Sequence, residues 1–185
     1  RVDRKECHFS SKRRIGESAD KISTFGIGYD VHKLKKRLPL FIGGIDIKSP
    51  FGSVGHSDGD ALIHAMVDSL LGAAGLGDIG KFFPSDDRKW ENIQSHIFLA
   101  KANKKIKQAG YQISNLDCTI ILQKPKLQNY ISSIRKNIAK ILTISEKKIS
   151  IKSTTTDYLG FIGDSKGWSV IAIATICSID EYSKN

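Results

Sequence analysis

Cysteine is scarce in this chain and poorly placed for staples. Cys7, Cys118 and Cys177 are the three among 185 residues, an odd number lying far apart with no C-x-x-C pair. That argues against a disulfide framework or a cysteine zinc knuckle and fits a reducing interior or buried structural thiols. No apolar run approaches the roughly 20 residues that a membrane-spanning helix needs, so a soluble protein with one full core is expected. Internal repeats and low-complexity linkers are also missing. The glycines of "GAAGLGDIG" do not form a G-x-G-x-x-G turn after a strand, so a dinucleotide site is not indicated. No strand of stacking aromatics resembling an RNP motif occurs.

Acid is the scarcer charge, with 19 Asp and Glu against 29 Lys and Arg and a net charge of +10. Clustered bases are the footprint of phosphate binding, which raises nucleic acid as a partner. The distribution opposes that reading. Residues 46 to 91 hold eight acids (Asp46, Asp58, Asp60, Asp68, Asp78, Asp86, Asp87, Glu91) and four bases (Lys48, Lys81, Arg88, Lys89). A duplex binder gains little from an acidic centre, whereas a metal site requires carboxylates. Lysine used as general surface solvation accounts for the remaining excess.

Residues 1–22, basic and serine-containing with little apolar periodicity, read as an extension outside the folded domain, which then covers 23–185. Basic, serine-rich presequences are poor in acids, and Asp3, Glu6, Glu17 and Asp20 make the match a weak one. From Thr24 the elements become readable. A first strand runs to about His32, followed by a basic turn "KLKKRLP" and a hairpin "LFIGGIDI" around Gly43 and Gly44. A polar loop covers residues 55 to 60. Apolar residues at 62, 63, 66, 67, 70 and 71 give a helical stripe, with Ser57 or Asp58 as N-cap and Gly72 or Gly75 near the exit.

"LGDIGKFFPSDD" reads as a loop, residues 93 to 109 as a second helix closed by Gly110, and "LDCTIIL" as a strand. Leu127, Ile131, Ile134, Ile138 and Ile141 form the seam of a third helix. "KISIKST" and "GWSVIAIATICSI" are two further strands, the latter apolar on both faces and therefore central or covered at an interface. The order predicts an α+β domain, a mixed β-sheet with helices packed on one side plus a β-hairpin.

Chemistry gathers in "GIGYDVH". Residues two apart in a strand share a face, so Asp30 and His32 project together while Tyr29 and Val31 point away. The plainer reading is an edge strand with its polar face in water. His64, on the first helix and off its apolar stripe, changes the balance: a strand offering Asp-x-His and a helix offering one histidine make a three-ligand O and N set suited to Zn²⁺ with the fourth position open. His56 and Asp60 would share the face of His64 if the helix reached back that far, and Asp60 or Asp68, at i−4 and i+4, would orient its imidazole.

"GIGYDVHKL", "FIGGIDI", "GHSDGDALIHAMVDSLLGAAGLGDIGKFFP", "QKPKL" and "KSTTTDYLGFIG" resemble, in order and spacing, the motifs of the 2-C-methyl-D-erythritol 2,4-cyclodiphosphate synthase family over about residues 24 to 179. The resemblance implies a homotrimer with active sites between subunits and a cytidine diphosphate substrate cyclised with release of CMP. It implies Zn²⁺ (or Mn²⁺ or Co²⁺) on Asp30, His32 and His64, with Mg²⁺ or Mn²⁺ bridging the diphosphate near Asp157. His56 and Thr155 match the transition-state stabilisers, and Asp30, Val31, His32, His56 and Ser57 match substrate contacts. Asp78, Ile79 and Gly80, then Phe83, Pro84, Ser85, Asp86 and Asp87, match a substrate loop. Leu122, Gln123, Lys124, Pro125, Lys126, Leu127 and Gln128 match the cytidine pocket. Thr154, Thr155, Thr156 and Asp157 match a diphosphate loop, and Phe161 an apolar cavity on the trimer axis.

Two departures stand out: Asp157 replaces the usual Glu, and Asp164 falls where some members carry Arg, which predicts no tight isoprenoid diphosphate binding there. From the residues alone, a zinc hydrolase using the same triad and a basic nucleic-acid module remain as alternatives. No membrane partner is expected. A plastid-type organelle (apicoplast or chloroplast) and a bacterial cytoplasm are both compatible with the composition.

Overall fold

The first strand is longer than its sequence suggests. The computed structural model describes residues 22–179 apart from 56, 85, 86, 91 and 92, so His56, Ser85, Asp86 and all of the expected extension but Ile22 lie outside the described residues. β1 spans Ser23–Lys36, carrying through the segment read as a basic turn. A partner that the sequence did not reveal accounts for this: β4, Phe51–Val54, pairs antiparallel with Lys33 to Lys36. Four residues that include a glycine and a serine carry too little β signal to be recognised alone. Between them, β2 (Phe41–Ile42) and β3 (Ile45–Asp46) form the expected hairpin. Gly43 and Gly44 both have positive φ, 61° and 74°, as a two-residue turn of the I′ kind demands.

Three longer helices follow the predicted order with shifted ends. α1 is Ala61–Ala73, capped not by Ser57 or Asp58 but by Asp60, whose carboxylate accepts from the Ile63 N–H. The helix therefore does not reach back to His56. A short helix α2, Ile79–Phe82, lies in the segment read as loop, and a 3₁₀ turn, Arg88–Trp90, follows it. α3 is Ser95–Gln108, β5 Tyr111–Ile121, α4 Ile131–Leu142 and β6 Ile149–Thr154. A second unexpected short helix, α5 (Gly160–Gly163), precedes β7, Gly167–Ser178.

The five-stranded sheet has the order β4-β1-β7-β5-β6, with β5 and β6 parallel and the other neighbours antiparallel. It is mixed, as expected, because α4 serves as the crossover between the two parallel strands. Ile134, Ile138 and Leu142 of α4 are fully buried. α1 packs on β1 and β7 with α3 above it, and Leu62, Ile63, Met66, Leu70 and Leu71 are wholly buried. Each such side chain contributes roughly 1.5–3 kcal/mol of burial. Gly26 and Gly28 let α1 lie directly on β1: a Cβ on Gly28 would overlap the Ala65 carbonyl, and one on Gly26 the Ser69 carbonyl.

The opposite face of the sheet is apolar and exposed over β1 and β7, while on β5 and β6 it carries the Asp117–Lys152 ion pair. Phe25, Ile27, Tyr29 and Val31 of β1, with Ile171 and Ile173 of β7, are exposed, Phe25 to 79%. β7 is thus central in the sheet and also presents apolar residues outward, the double character read from its sequence.

Candidate metal centre and active site

Alternation along β1 aims Asp30 and His32 at α1, on the same side as Gly26 and Gly28, while Tyr29 and Val31 face outward. Over residues 23 to 32, β1 has a partner on one side only, β7. The edge-strand reading was therefore right about the edge and wrong about the solvated face. One turn into α1, His64 completes the cluster. Asp30 Oδ2 lies 3.0 Å from His64 Nδ1 and 3.1 Å from His32 Nε2, and the two ring nitrogens are 3.2 Å apart. Asp30, His32 and His64 thus offer three ligand atoms to one point. Tetrahedral bonds of about 2.0–2.1 Å place donors roughly 3.3 Å apart, so the donor set fits a zinc-sized cation with a fourth direction left open.

Each ligand is held from behind. His32 Nδ1 lies 3.0 Å from the Val54 carbonyl, so its N–H donates there and, in the neutral ring, Nε2 is left bare; β4, the strand missing from the sequence reading, supplies that acceptor. Burial opposes ionisation of Asp30, but hydrogen bonds from His32 and His64 in their doubly protonated forms, and the charge those forms carry, hold its carboxyl well below the usual carboxylate range. Burial likewise works against protonated His32, yet the hydrogen bond to Asp30 and its charge raise the imidazole above 6.5.

Neither predicted orienting carboxylate reaches the His64 ring. Asp60 is fully buried and spends its oxygens on the Gly44 N–H at 2.7 Å and the Ile63 N–H at 3.1 Å, locking the β2–β3 turn to the start of α1. Asp68 accepts from the Ile79 N–H at 2.7 Å. Helical spacing does not register these claims on their oxygens. The groups at His64 Nε2 are instead Ser95 Oγ at 3.0 Å and Ser57 Oγ at 3.3 Å. Ser95 carried no sequence signal, because it meets His64 only through the packing of α3 on α1.

The substrate-loop residues that are described divide in two. Asp78 caps α2 through the Lys81 N–H, Ile79 and Gly80 begin that helix, and Phe83 is buried against Phe98 and Trp90. Pro84 and Asp87 flank residues outside the description, with the Asp87 N–H donating to the Pro84 carbonyl.

A separate groove of about 200 Å³ brings Leu122, Gln123 and Pro125 together with Lys126, Leu127 and Gln128. Ser153, Thr154 and Thr155 at the end of β6 form its other wall. Lys124 sits in the same loop, its ammonium 6.0 Å from the Tyr158 ring, and Gln123 Oε1 accepts from the Tyr158 N–H. Thr156 Oγ1 donates to the Leu159 carbonyl, and Asp157 lies 3.3 Å from Thr155 Oγ1 with a positive φ of 50°. Phe161, half-exposed on α5, flanks Gly167. Asp164 is paired with Lys166 at 2.8 Å, so its charge is partly offset.

The sheet register separates this groove from the triad. Asp30 pairs with Val170, Val170 with Ile120, and Ile120 with Ser153, three strand spacings or about 14 Å across the sheet.

The YgbB family profile matches residues 23–177. A 2-C-methyl-D-erythritol 2,4-cyclodiphosphate synthase of Clostridium botulinum (strain Okra) is 50% identical over 151 residues, 82% of this chain and 97% of that protein. Among solved structures, the bifunctional IspDF from Campylobacter jejuni superposes with a TM-score of 0.84 at 38% identity, covering 86% of this chain and 43% of that one. IspF of Plasmodium falciparum, solved as a CDP complex, gives 0.76 at 38% identity over 85% of this chain and 97% of its own. With a strand and a helix delivering an Asp-His-His cluster inside the matched segment, the chain belongs to the YgbB family, the 2-C-methyl-D-erythritol 2,4-cyclodiphosphate synthases.

Proposed function

We propose that the chain is a phosphorus–oxygen lyase that converts 4-diphosphocytidyl-2-C-methyl-D-erythritol 2-phosphate to 2-C-methyl-D-erythritol 2,4-cyclodiphosphate and CMP, in isoprenoid precursor biosynthesis. The observation that carries this reading is the convergence of Asp30, His32 and His64 in a chain 50% identical to synthases of that name. An oxygen of the 2-phosphate bonds to the β-phosphorus, the bond from that phosphorus to the α–β bridging oxygen breaks, and CMP leaves with the electron pair. The attacking phosphate is already anionic at neutral pH, so the site must align groups and neutralise charge rather than create a nucleophile. A divalent cation on the triad (Zn²⁺, or Mn²⁺ or Co²⁺) supplies Lewis-acid charge when bound, and Mg²⁺ or Mn²⁺ near Asp157 offsets the diphosphate.

This chain's residues then divide the work. Asp30, His32 and His64 hold the first cation, with the neighbouring Val31 backbone against substrate. His56 and Thr155 donate to oxygens gaining charge in the transition state, and Ser57 meets phosphate. Residues 78–80 and 83–87 cover the sugar phosphate, residues 122–128 take the cytidine, and residues 154–157 the diphosphate. Asp157, one methylene shorter than Glu, would be the residue nearest that second cation.

Triad and groove cannot serve one diphosphate within a single chain, because about 14 Å of sheet lies between them. A neighbouring copy must supply the second half, and the bare apolar face of β1 and β7 offers the surface for it. Both observations support a homotrimer with shared sites, and the family match over 23–177 supports a folded domain that begins at 23. The relatives named by sequence are bacterial, which supports a bacterial cytoplasm over a plastid. No described helix is long and apolar enough to cross a membrane.

The test is CMP release together with product mass, with and without chelator. Wild type should yield CMP and the cyclic product, while Asp30→Asn and His32→Gln should bind zinc at least about tenfold more weakly and lose turnover. A linear, hydrolysed product would favour the zinc-hydrolase alternative, and unchanged zinc content in both variants would refute the triad.

A further inference from the structure

α3 begins without a cap of its own: Gln94, at its N-cap, makes no side-chain capping hydrogen bond. The cap comes from 37 residues upstream. Asp58 Oδ2 accepts the Ser95 backbone N–H at 2.9 Å, and Asp58 Oδ1 accepts the Ser95 hydroxyl. Such a carboxylate at a helix N-terminus satisfies orphan donors and the helix dipole together. Ser95, however, is fully buried and has a second contact, His64 Nε2 at 3.0 Å.

Proton counting makes this chain directional. An ionised carboxylate only accepts, so the single Ser95 hydroxyl proton is committed to Asp58. Ser95 Oγ can then only accept from His64, which places the imidazole proton on Nε2. Nδ1 is left with its lone pair, and it is Nδ1 that lies 3.0 Å from Asp30 and 3.2 Å from His32 Nε2. We propose that Asp58 and Ser95 are positioning residues that select the tautomer and aim of His64, so that its Nδ1 is ready to take a divalent cation. This rests on the metal reading of the triad. Ser57 does not substitute for Ser95: its hydroxyl lies 3.3 Å from Nε2 and 3.4 Å from Ser95 Oγ, with no carboxylate dictating which way its proton points.

A role confined to capping α3 would change stability and leave the imidazole alone, so the tautomer is the deciding readout. Nitrogen-15 spectra of the histidine rings in the metal-free full chain at about pH 8, where an ordinary histidine is neutral, should show His64 protonated at Nε2. In Ser95→Ala, and in Asp58→Asn, whose amide accepts only one of the two Ser95 donors, that preference should give way to a mixture. Zinc affinity, read by chelator competition, should fall about 10- to 100-fold. A wild-type His64 protonated at Nδ1 overturns the proposal without any variant having to fold. So do folded variants that keep the Nε2 tautomer and bind zinc within about threefold of wild type. Wild type that binds no zinc while keeping the Nε2 tautomer would instead refute the metal reading and leave the tautomer selection standing.

Discussion

His32 and His64 show how little of a ligand's behaviour lies in its own identity. Each presents one ring nitrogen toward Asp30, and in each the other nitrogen meets an oxygen donated by a different element, the Val54 carbonyl or Ser95 Oγ. Asp60 makes the same point for a carboxylate. Its burial, with the charge of Asp58, pushes its pKa up to about 6 against the donors Gly44, Gly43 and Ile63. The folded state therefore holds this proton more tightly than the unfolded chain, whose value is near 3.8, and stability is lost as pH rises through the interval between them. The gap corresponds to roughly 3 kcal/mol. Urea unfolding from about pH 4 to 6 should show wild-type stability falling relative to Asp60→Asn; a difference independent of pH would refute this. Spacing along the helix points Asp60 to His64, whereas it caps α1 and binds Gly44, because spacing does not report which backbone donors come near.

Elements bring these residues together only because two of them can touch. Gly26 and Gly28 allow α1 to rest on β1 with backbone against backbone, and that contact sets the distance between His64 and the Asp30–His32 pair. Gly28→Ala would force α1 away from the strand, an overpacking that costs about 1–3 kcal/mol. Denaturant midpoints should fall accordingly and zinc affinity should drop with them; a variant of wild-type stability and affinity would show that α1 is positioned by something else. The sequence pattern displayed α1, α3, α4 and the longer strands because each repeats its apolar period over ten or more residues. β4, α2 and α5, of four residues each, are too short for any period to be read. Yet β4 extends β1 and holds His32, so a part of the site with almost no sequence signal is mechanically necessary.

Across the molecule, the sheet has one face committed to helices and one that is apolar and open over β1 and β7. Phe25, Ile27, Tyr29, Val31, Ile171 and Ile173 form a patch of the kind that soluble monomers avoid. If it joins copies of the chain, sedimentation should give a single species of about three chains. Ile27→Asp should shift it toward monomer and, on the shared-site proposal, remove activity. A monomer of full activity would defeat the shared-site reading.

Local chemistry was legible before any fold: the Asp-x-His face, the single helix histidine, the Gly-Gly turn and the α+β order all follow from residue type and period. The ordered motifs pointed to the family that the comparisons then matched. Only the tertiary structure decided that Asp60 clasps a hairpin rather than an imidazole, that Ser95 and Asp58 stand behind His64, and that triad and groove lie three strands apart. The physical reason is the same each time. Periodicity reports which way a side chain points from its own backbone, whereas a hydrogen bond or a shared site depends on which distant backbone packing brings to meet it.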